Sequence, residues 1–191
     1  PVAEALAVAG GSRKGEISVQ ATLSLGGLDI AVTGGKPMDG PLQVELAQLA
    51  EGLGLARLAW DGEVVAMRHA PEQIFGRAKV TPPPGAFLQA TADGEAGLLA
   101  EVSTLMQGKS RVVDLFAGCG TFTLPLAEDA EVHAVEGEAE MLRALDRGWR
   151  NAPGLKRVST EARDLFRRPL LAEELSRYDA AVIDPPRAGA A

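Results

Sequence analysis

The sequence predicts an α/β protein: a Rossmann-like parallel sheet, truncated in this chain, preceded by a small α+β domain. Three observations predict it. From Arg111 onward, short β-branched apolar runs alternate with amphipathic stretches, the pattern of a parallel sheet with helices on both faces. The first of these runs, Val112 to Leu115, passes directly into Phe116-Ala117-Gly118-Cys119-Gly120, a glycine turn that opens a helical pattern. The first eighty residues carry instead two hairpin signals, Gly26-Gly27 and Asp61-Gly62, between alternating segments.

Taken in order, residues 1–15 are small and polar and are expected to fray or to link. Alternation over 17–32 gives a hairpin turning at Gly26-Gly27. Pro41 fits a first helical position, Leu42, Leu46, Leu49, Ala50 and Leu53 share a face, and Gly52 or Gly54 stops the helix. Residues 56–60 and 63–67 flank the second turn, so this part reads as an antiparallel unit. Pro82-Pro83-Pro84 stiffens an extended path and marks the division into domains 1–80 and 81–191. Thr91 caps a helix to about Met106 whose buried side is Ala92, Ala96, Leu99, Val102 and Met106. Strands follow at 111–115, 131–135, 157–160 and 178–183, and helices at 121–128, 139–149 and 170–176.

Composition bounds the partners. Hydrophobic residues are 46% and charged residues 24%, ordinary for a globular chain, and no apolar run is long enough to span a bilayer. With no signal-like start, a cytoplasmic location is expected. The net charge of −7 is spread over both halves, so a nucleic-acid surface must be a local patch or lie outside this chain. Cys119 is the single cysteine, which excludes an internal disulfide and an all-cysteine metal site. His69 and His133 stand apart from any acidic cluster, so no metal site is assigned. A start at Pro1 and a stop just after Asp184-Pro185-Pro186-Arg187 suggest a piece of a longer protein, inactive by itself.

In a parallel α/β sheet, ligands gather at the carboxyl ends of the strands. Asp114 to Gly120, Glu136, Asp164 and Asp184 all fall there. Glu136 lies 18 residues beyond Gly118, a spacing that suits a carboxylate accepting from ribose hydroxyls. Thr123 occupies the third-glycine position of the dinucleotide fingerprint, which argues against NAD and for a nucleoside ligand without pyrophosphate, such as S-adenosylmethionine. Gln89, at the end of the proline-rich segment, is placed to bond a carboxylate or amine if that segment folds over the ligand.

Residues 114–127 (DLFAGCGTFTLPLA) resemble the first motif of the S-adenosylmethionine-dependent RNA 5-methyluridine methyltransferases. Val135-Glu136-Gly137 resembles their ribose motif, Ile183 to Ala190 their Asp-Pro-Pro-Arg segment, and Phe87-Leu88-Gln89 their Phe-x-Gln segment, so the resemblance covers roughly residues 56–191. It implies that Gln89, Phe116, Gly118, Gly120, Thr121, Glu136 and Asp184 line the cofactor site, with Asp164 toward the adenine amino group. Thr121 stands where the family commonly has Asn, and Ala117 where it usually has Cys. The resemblance further implies an rRNA or tRNA substrate. Its mechanism adds a cysteine to uracil carbon 6, methylates carbon 5, and removes the carbon 5 proton with a glutamate. Both catalytic residues belong to motifs downstream of this chain, so none is assigned here. An iron–sulfur cluster, where the family carries one, belongs to an N-terminal part. Alternatives are a methyltransferase for another base or a small molecule, a nucleotide-binding oxidoreductase, and a binding module with a degenerate site.

Overall fold

The computed structural model describes residues 2–11 and 16–186, which divide into two units: Pro1–Gln73 with Thr81–Gly85, and Ile74–Val80 with Ala86–Ala191. The boundary is therefore crossed three times rather than once at 80/81. The reason is packing: Phe75, Ala78 and Val80 are buried in the second unit's core.

The first unit starts with α1 (Val2–Gly10), which corrects the expectation of a frayed start. Leu6 and Ala9 are buried with Leu42, Leu46 and Trp60, and Val2 packs on the same cluster, so the spacing of Val2, Leu6 and Ala9 forms an apolar stripe. Strands β1 (Ser18–Ser24) and β2 (Gly27–Thr33) make the expected hairpin, but the turn residues are Leu25-Gly26. Helix α2 (Gly40–Gly52) begins where Asp39 Oδ1 accepts from Leu42 N at 2.8 Å. It crosses to β3 (Arg57–Trp60), which pairs antiparallel with β4 (Glu63–Met67) through the turn at Asp61-Gly62. Because α2 is a crossover, β2 and β3 run parallel, so the sheet β1-β2-β3-β4 is mixed and not wholly antiparallel. Inside it Arg57 clasps Asp29 with both forks, Nε to Oδ1 at 2.8 Å and Nη2 to Oδ2 at 2.7 Å. Its Nη1 donates to the Pro82 carbonyl at 2.9 Å.

In the second unit β5 (Gln73–Phe75) and β6 (Ala78–Val80) form a two-stranded ribbon that no sequence signal marked. Helix α3 (Ala92–Leu105) is capped by Thr91 as expected, with Oγ1 accepting from Gly94 N at 3.1 Å. Its expected buried side is only partly realised: Leu99, Val102 and Met106 pack on the core, while Ala92 and Ala96 are exposed. Then come β7 (Arg111–Leu115), α4 (Thr123–Leu126), β8 (Glu131–Glu136), α5 (Ala139–Asn151), β9 (Val158–Ala162), α6 (Ala172–Leu175) and β10 (Ala180–Ile183). The strands pair parallel in the order β10-β7-β8-β9. Helix α4 is one turn long, shorter than the expected 121–128, so its dipole adds little for a ligand. The main core packs Val112, Leu124, Val132, Ala134, Met141 and Leu145. On the other face Val113, Leu115, Val135 and Leu165 form a second cluster.

Candidate functional site: the carboxyl edge of the parallel sheet

The central strand β7 ends in a sharp turn. Phe116 has φ +63°, an uncommon left-handed conformation for a residue with a side chain. It is held on both flanks, since Asp184 N donates to Leu115 O at 3.4 Å and Ala117 N to Val135 O at 3.1 Å. Gly118 and Gly120 follow with φ +55° and +97°. A side chain at Gly118 would meet open space, whereas one at Gly120 would strike Leu145 and Leu124. The first glycine thus serves the turn's conformation alone, and the second also permits α4 and α5 to close on the strand.

Glu136, the last residue of β8, faces this turn. Its Oε2 accepts from Gly118 N at 3.0 Å and its Oε1 from Glu138 N at 3.0 Å. Each oxygen keeps a further lone pair, the arrangement a carboxylate needs to take hydroxyl donors while remaining fixed. On the other side of β7, Gln89 Nε2 donates to Asp184 Oδ2 at 3.4 Å, so the residue from the proline-rich segment does reach the end of β10. The Phe116 ring meets Phe166, with centroids 5.2 Å apart and planes tilted by 52°.

Asp164 is exposed, and its Oδ1 accepts from Phe166 N and Arg167 N at 3.1 Å each. In this structure it fastens the turn carrying Phe166, and among the described residues Oδ2 has only the exposed Arg167, at 3.5 Å. Thr121 is half-buried in the turn, and its side chain makes no hydrogen bond among the described residues. Arg187 to Ala190 of the Asp-Pro-Pro-Arg segment lie outside the described residues. Cys119 is buried, its Sγ donating to Met141 Sδ at 3.1 Å. Burial, then the charges of Glu136 and Glu138, push its thiol up to about 12, so it stays protonated and unreactive.

Asp114, one of the acidic strand-end positions in the sequence, has no part in the cofactor site as read from sequence, and the structure sets it apart. It is 1% exposed, one residue before the end of β7. Thr123 Oγ1, itself buried, donates to Asp114 Oδ2 at 2.6 Å, and Asp114 Oδ1 has no partner among the described residues. Burial raises its carboxyl to about 7, with Asp184 and Glu136 adding to the rise and the Thr123 hydroxyl opposing it. A charge inside the apolar run Val112-Val113-Asp114-Leu115 was the available signal. Thr123, read only as the residue that displaces a fingerprint glycine, holds that carboxylate.

His133 is structural. Its Nδ1 lies 2.8 Å from Ser159 Oγ, its Nε2 3.2 Å from Glu161 Oε2, and its ring stacks on Tyr178. Among the described residues there is no group of His, Cys, Asp and Glu that could hold a metal, and no helix is long and apolar enough to cross a membrane.

The parallel sheet, its glycine turn and the antiparallel hairpins before it define the fold of the S-adenosylmethionine-dependent methyltransferases. A solved tRNA (uracil-54, C5)-methyltransferase from Pyrococcus abyssi, in complex with S-adenosyl-L-homocysteine, shares this fold. The TM-score is 0.62 at 17% identity, covering 85% of this chain and 40% of that one. No family model matches the chain. Among curated proteins it is 47% identical, over 176 residues, to an uncharacterised RNA methyltransferase of Brucella suis biovar 1 (strain 1330), and 48% identical over 169 residues to one of Mesorhizobium japonicum. The first of these similarities covers 92% of this chain, well beyond residues 56–191, and 42% of the relative's length. The second covers 88% and 41%. The 23S rRNA (uracil(1939)-C(5))-methyltransferase RlmD of Chromohalobacter salexigens is 39% identical over 110 residues, which is 56% of this chain and 22% of that protein.

Proposed function

We propose that the chain is the cofactor-binding portion of an S-adenosylmethionine-dependent RNA methyltransferase, and that the target is carbon 5 of a uridine in rRNA or tRNA. The observation that carries the first part is Glu136, fixed against the Gly118 turn with lone pairs to spare for two ribose hydroxyls. The carboxylates of Glu136 and Asp184, at the ends of β8 and β10, complement a cofactor whose methionyl end carries positive charge. Gln89 and Asp184 line that edge, Phe116 and Phe166 offer apolar faces, and Asp164 Oδ2 is the acceptor for the adenine amino group. The cofactor supplies an electrophilic methyl group, and the protein's part is to hold it in line with the attacking carbon. Support for RNA comes from the Brucella and Mesorhizobium relatives, and for uracil carbon 5 from the more distant RlmD and Pyrococcus similarities.

Calorimetry of the full-length protein with S-adenosylmethionine and with NAD tests the cofactor. Binding of the first alone is expected, and NAD binding would move the protein to the oxidoreductases. Transfer of labelled methyl to transcripts, followed by nucleoside analysis, tests the target: 5-methyluridine is expected, and a methylated cytosine or adenine would overturn the uracil assignment. Glu136→Ala is expected to weaken cofactor binding by about 1–3 kcal/mol, because a fixed charged acceptor is lost. An unchanged dissociation constant would remove Glu136 from the site.

Cys119 is not the nucleophile in this proposal. Cys119→Ala in the full-length protein is expected to keep methyl transfer within about tenfold, roughly 1.4 kcal/mol of barrier. It should still form a covalent adduct with RNA containing 5-fluorouridine, which traps the attacking thiol because fluorine cannot leave as a proton does. Loss of that adduct would make Cys119 the attacking residue.

A further inference from the structure

Arg163 is the first residue after β9, and its side chain does more than a strand end requires. Its backbone N–H donates to the Glu136 carbonyl at 2.8 Å. Its side chain turns into the loop that follows and is 14% exposed. Every N–H of the guanidinium then has an acceptor. Nε donates to Arg168 O at 2.7 Å and Nη2 to Pro169 O at 3.0 Å. Nη1 and Nη2 also take the two oxygens of Glu174, at 2.7 and 3.1 Å. Glu174 Oε2 accepts in turn from Leu171 N at 2.8 Å, at the start of α6. The Arg163 guanidinium, and then the Leu171 amide, hold the Glu174 carboxyl down to about 2, so the grip is charged at neutral pH. A last contact roots the fork in the sheet. Nη1 donates to Glu161 Oε1 on β9 at 3.2 Å, and Glu161 Oε2 lies 3.2 Å from His133 Nε2 on β8.

The fork closes around the loop 164–171. Of residues 164–169 only Leu165 is buried, so apolar packing fixes little of the loop. Yet two residues of this loop stand at the candidate site. Phe166 meets Phe116 at the turn after β7, with ring centroids 5.2 Å apart. Asp164 accepts from two amides of its own loop through Oδ1, which leaves Oδ2 toward a ligand. An ordinary surface ion pair needs one acceptor and contributes little. A planar fork that joins two backbone carbonyls to two carboxylates sets the shape of a loop.

We infer that Arg163 is a positioning residue for adenine recognition, acting through the loop 164–171 to hold Asp164 and Phe166 in place beside Glu136. This rests on the S-adenosylmethionine reading above, with Asp164 as acceptor of the adenine amino group. Arg163 itself does not touch the ligand. Without the fork, Glu161 and Glu174 are like charges with no cation between them, and the Arg168 and Pro169 carbonyls lose their donors. The loop then loosens and Asp164 leaves its place. The ribose and methionyl contacts, carried by Glu136, Gln89 and Asp184, remain.

The test compares S-adenosylhomocysteine with S-inosylhomocysteine, in which an oxygen replaces the adenine amino group. Calorimetry on the full-length wild-type protein should show a preference of about tenfold or more for the first, the worth of a hydrogen bond to a carboxylate. In Arg163→Gln, S-adenosylhomocysteine should lose about that factor and S-inosylhomocysteine little, so the preference shrinks toward unity. Arg163→Lys keeps the charge without the fork and should fall between. Glu174→Gln removes the charge that the fork grips and should narrow the preference in the same direction. An arginine that only stabilises the fold would weaken both ligands equally, and an unchanged ratio in folded Arg163→Gln would overturn the inference. If Arg163→Gln does not fold, the ratios in Arg163→Lys and Glu174→Gln decide by the same rule. A wild-type protein that binds both ligands alike would overturn the role of Asp164 and this inference, and leave the cofactor reading standing. A wild-type protein that binds neither would overturn the cofactor reading as well.

Discussion

Arg57→Ala is expected to destabilise the protein by about 3–5 kcal/mol, because it strands a buried carboxylate. Arg57 and Asp29 have side-chain exposures of 4% and 11%, and the guanidinium meets both carboxylate oxygens. The pair is seated by register, Asp29 lying opposite Arg57 on the parallel strands β2 and β3. Removing the guanidinium leaves Asp29 charged in a place water hardly reaches, and also frees the Pro82 carbonyl. The double change Asp29→Leu with Arg57→Met should recover most of the loss, since replacing both partners removes the uncompensated charge. The Pro82 carbonyl stays unpaired, so recovery falls short of wild type. Urea midpoints of the two variants check this. A single variant as stable as the double one would show that the charge is not what the arginine neutralises.

Gly120→Ala is expected to cost about 3 kcal/mol, from a left-handed backbone and an overfilled core together. The added Cβ would lie 2.9 Å from Leu145 Cγ and 3.0 Å from Leu124 Cδ1, and both leucines are fully buried. With φ +97° the backbone itself disfavours a side chain. Gly118→Ala provides the contrast: its φ is +55° and its surroundings are open, so a loss of about 1 kcal/mol is expected. Denaturation of both variants beside wild type separates the two roles. Equal losses would mean that the turn's conformation alone, and not the closure of α5 onto it, requires the second glycine.

Local patterns carried much of the fold. The alternation around Leu25-Gly26 and Asp61-Gly62, the cap at Thr91, and the β-branched runs at 112–115 and 131–135 each rest on contacts within a few residues. They were therefore visible in sequence. The ribbon β5–β6 was not, because its three-residue strands are too short to show a period and are stabilised by burial of Phe75, Ala78 and Val80. Helix α1 was misjudged for a related reason: a run of small residues looks weak until Leu6 has a core to enter. Helix α3 forms as its pattern predicts, but its buried side stops short of Ala92 and Ala96, since a periodic face announces that it can be buried and not that a partner covers all of it.

The sequence by itself determined the parallel sheet with its glycine turn and placed Asp114 to Gly120, Glu136, Asp164 and Asp184 at the carboxyl ends of its strands, because strand ends and turn residues are set by local periodicity and backbone conformation. Only the tertiary structure decided that Gln89 reaches Asp184 across 95 positions of chain, that β2 and β3 run parallel, and that Asp164 fastens a turn. It alone decided that Asp114 is buried with one oxygen unmatched among the described residues. Hydrogen-bond satisfaction and desolvation depend on what surrounds a group in space, and a run of neighbouring letters does not contain that.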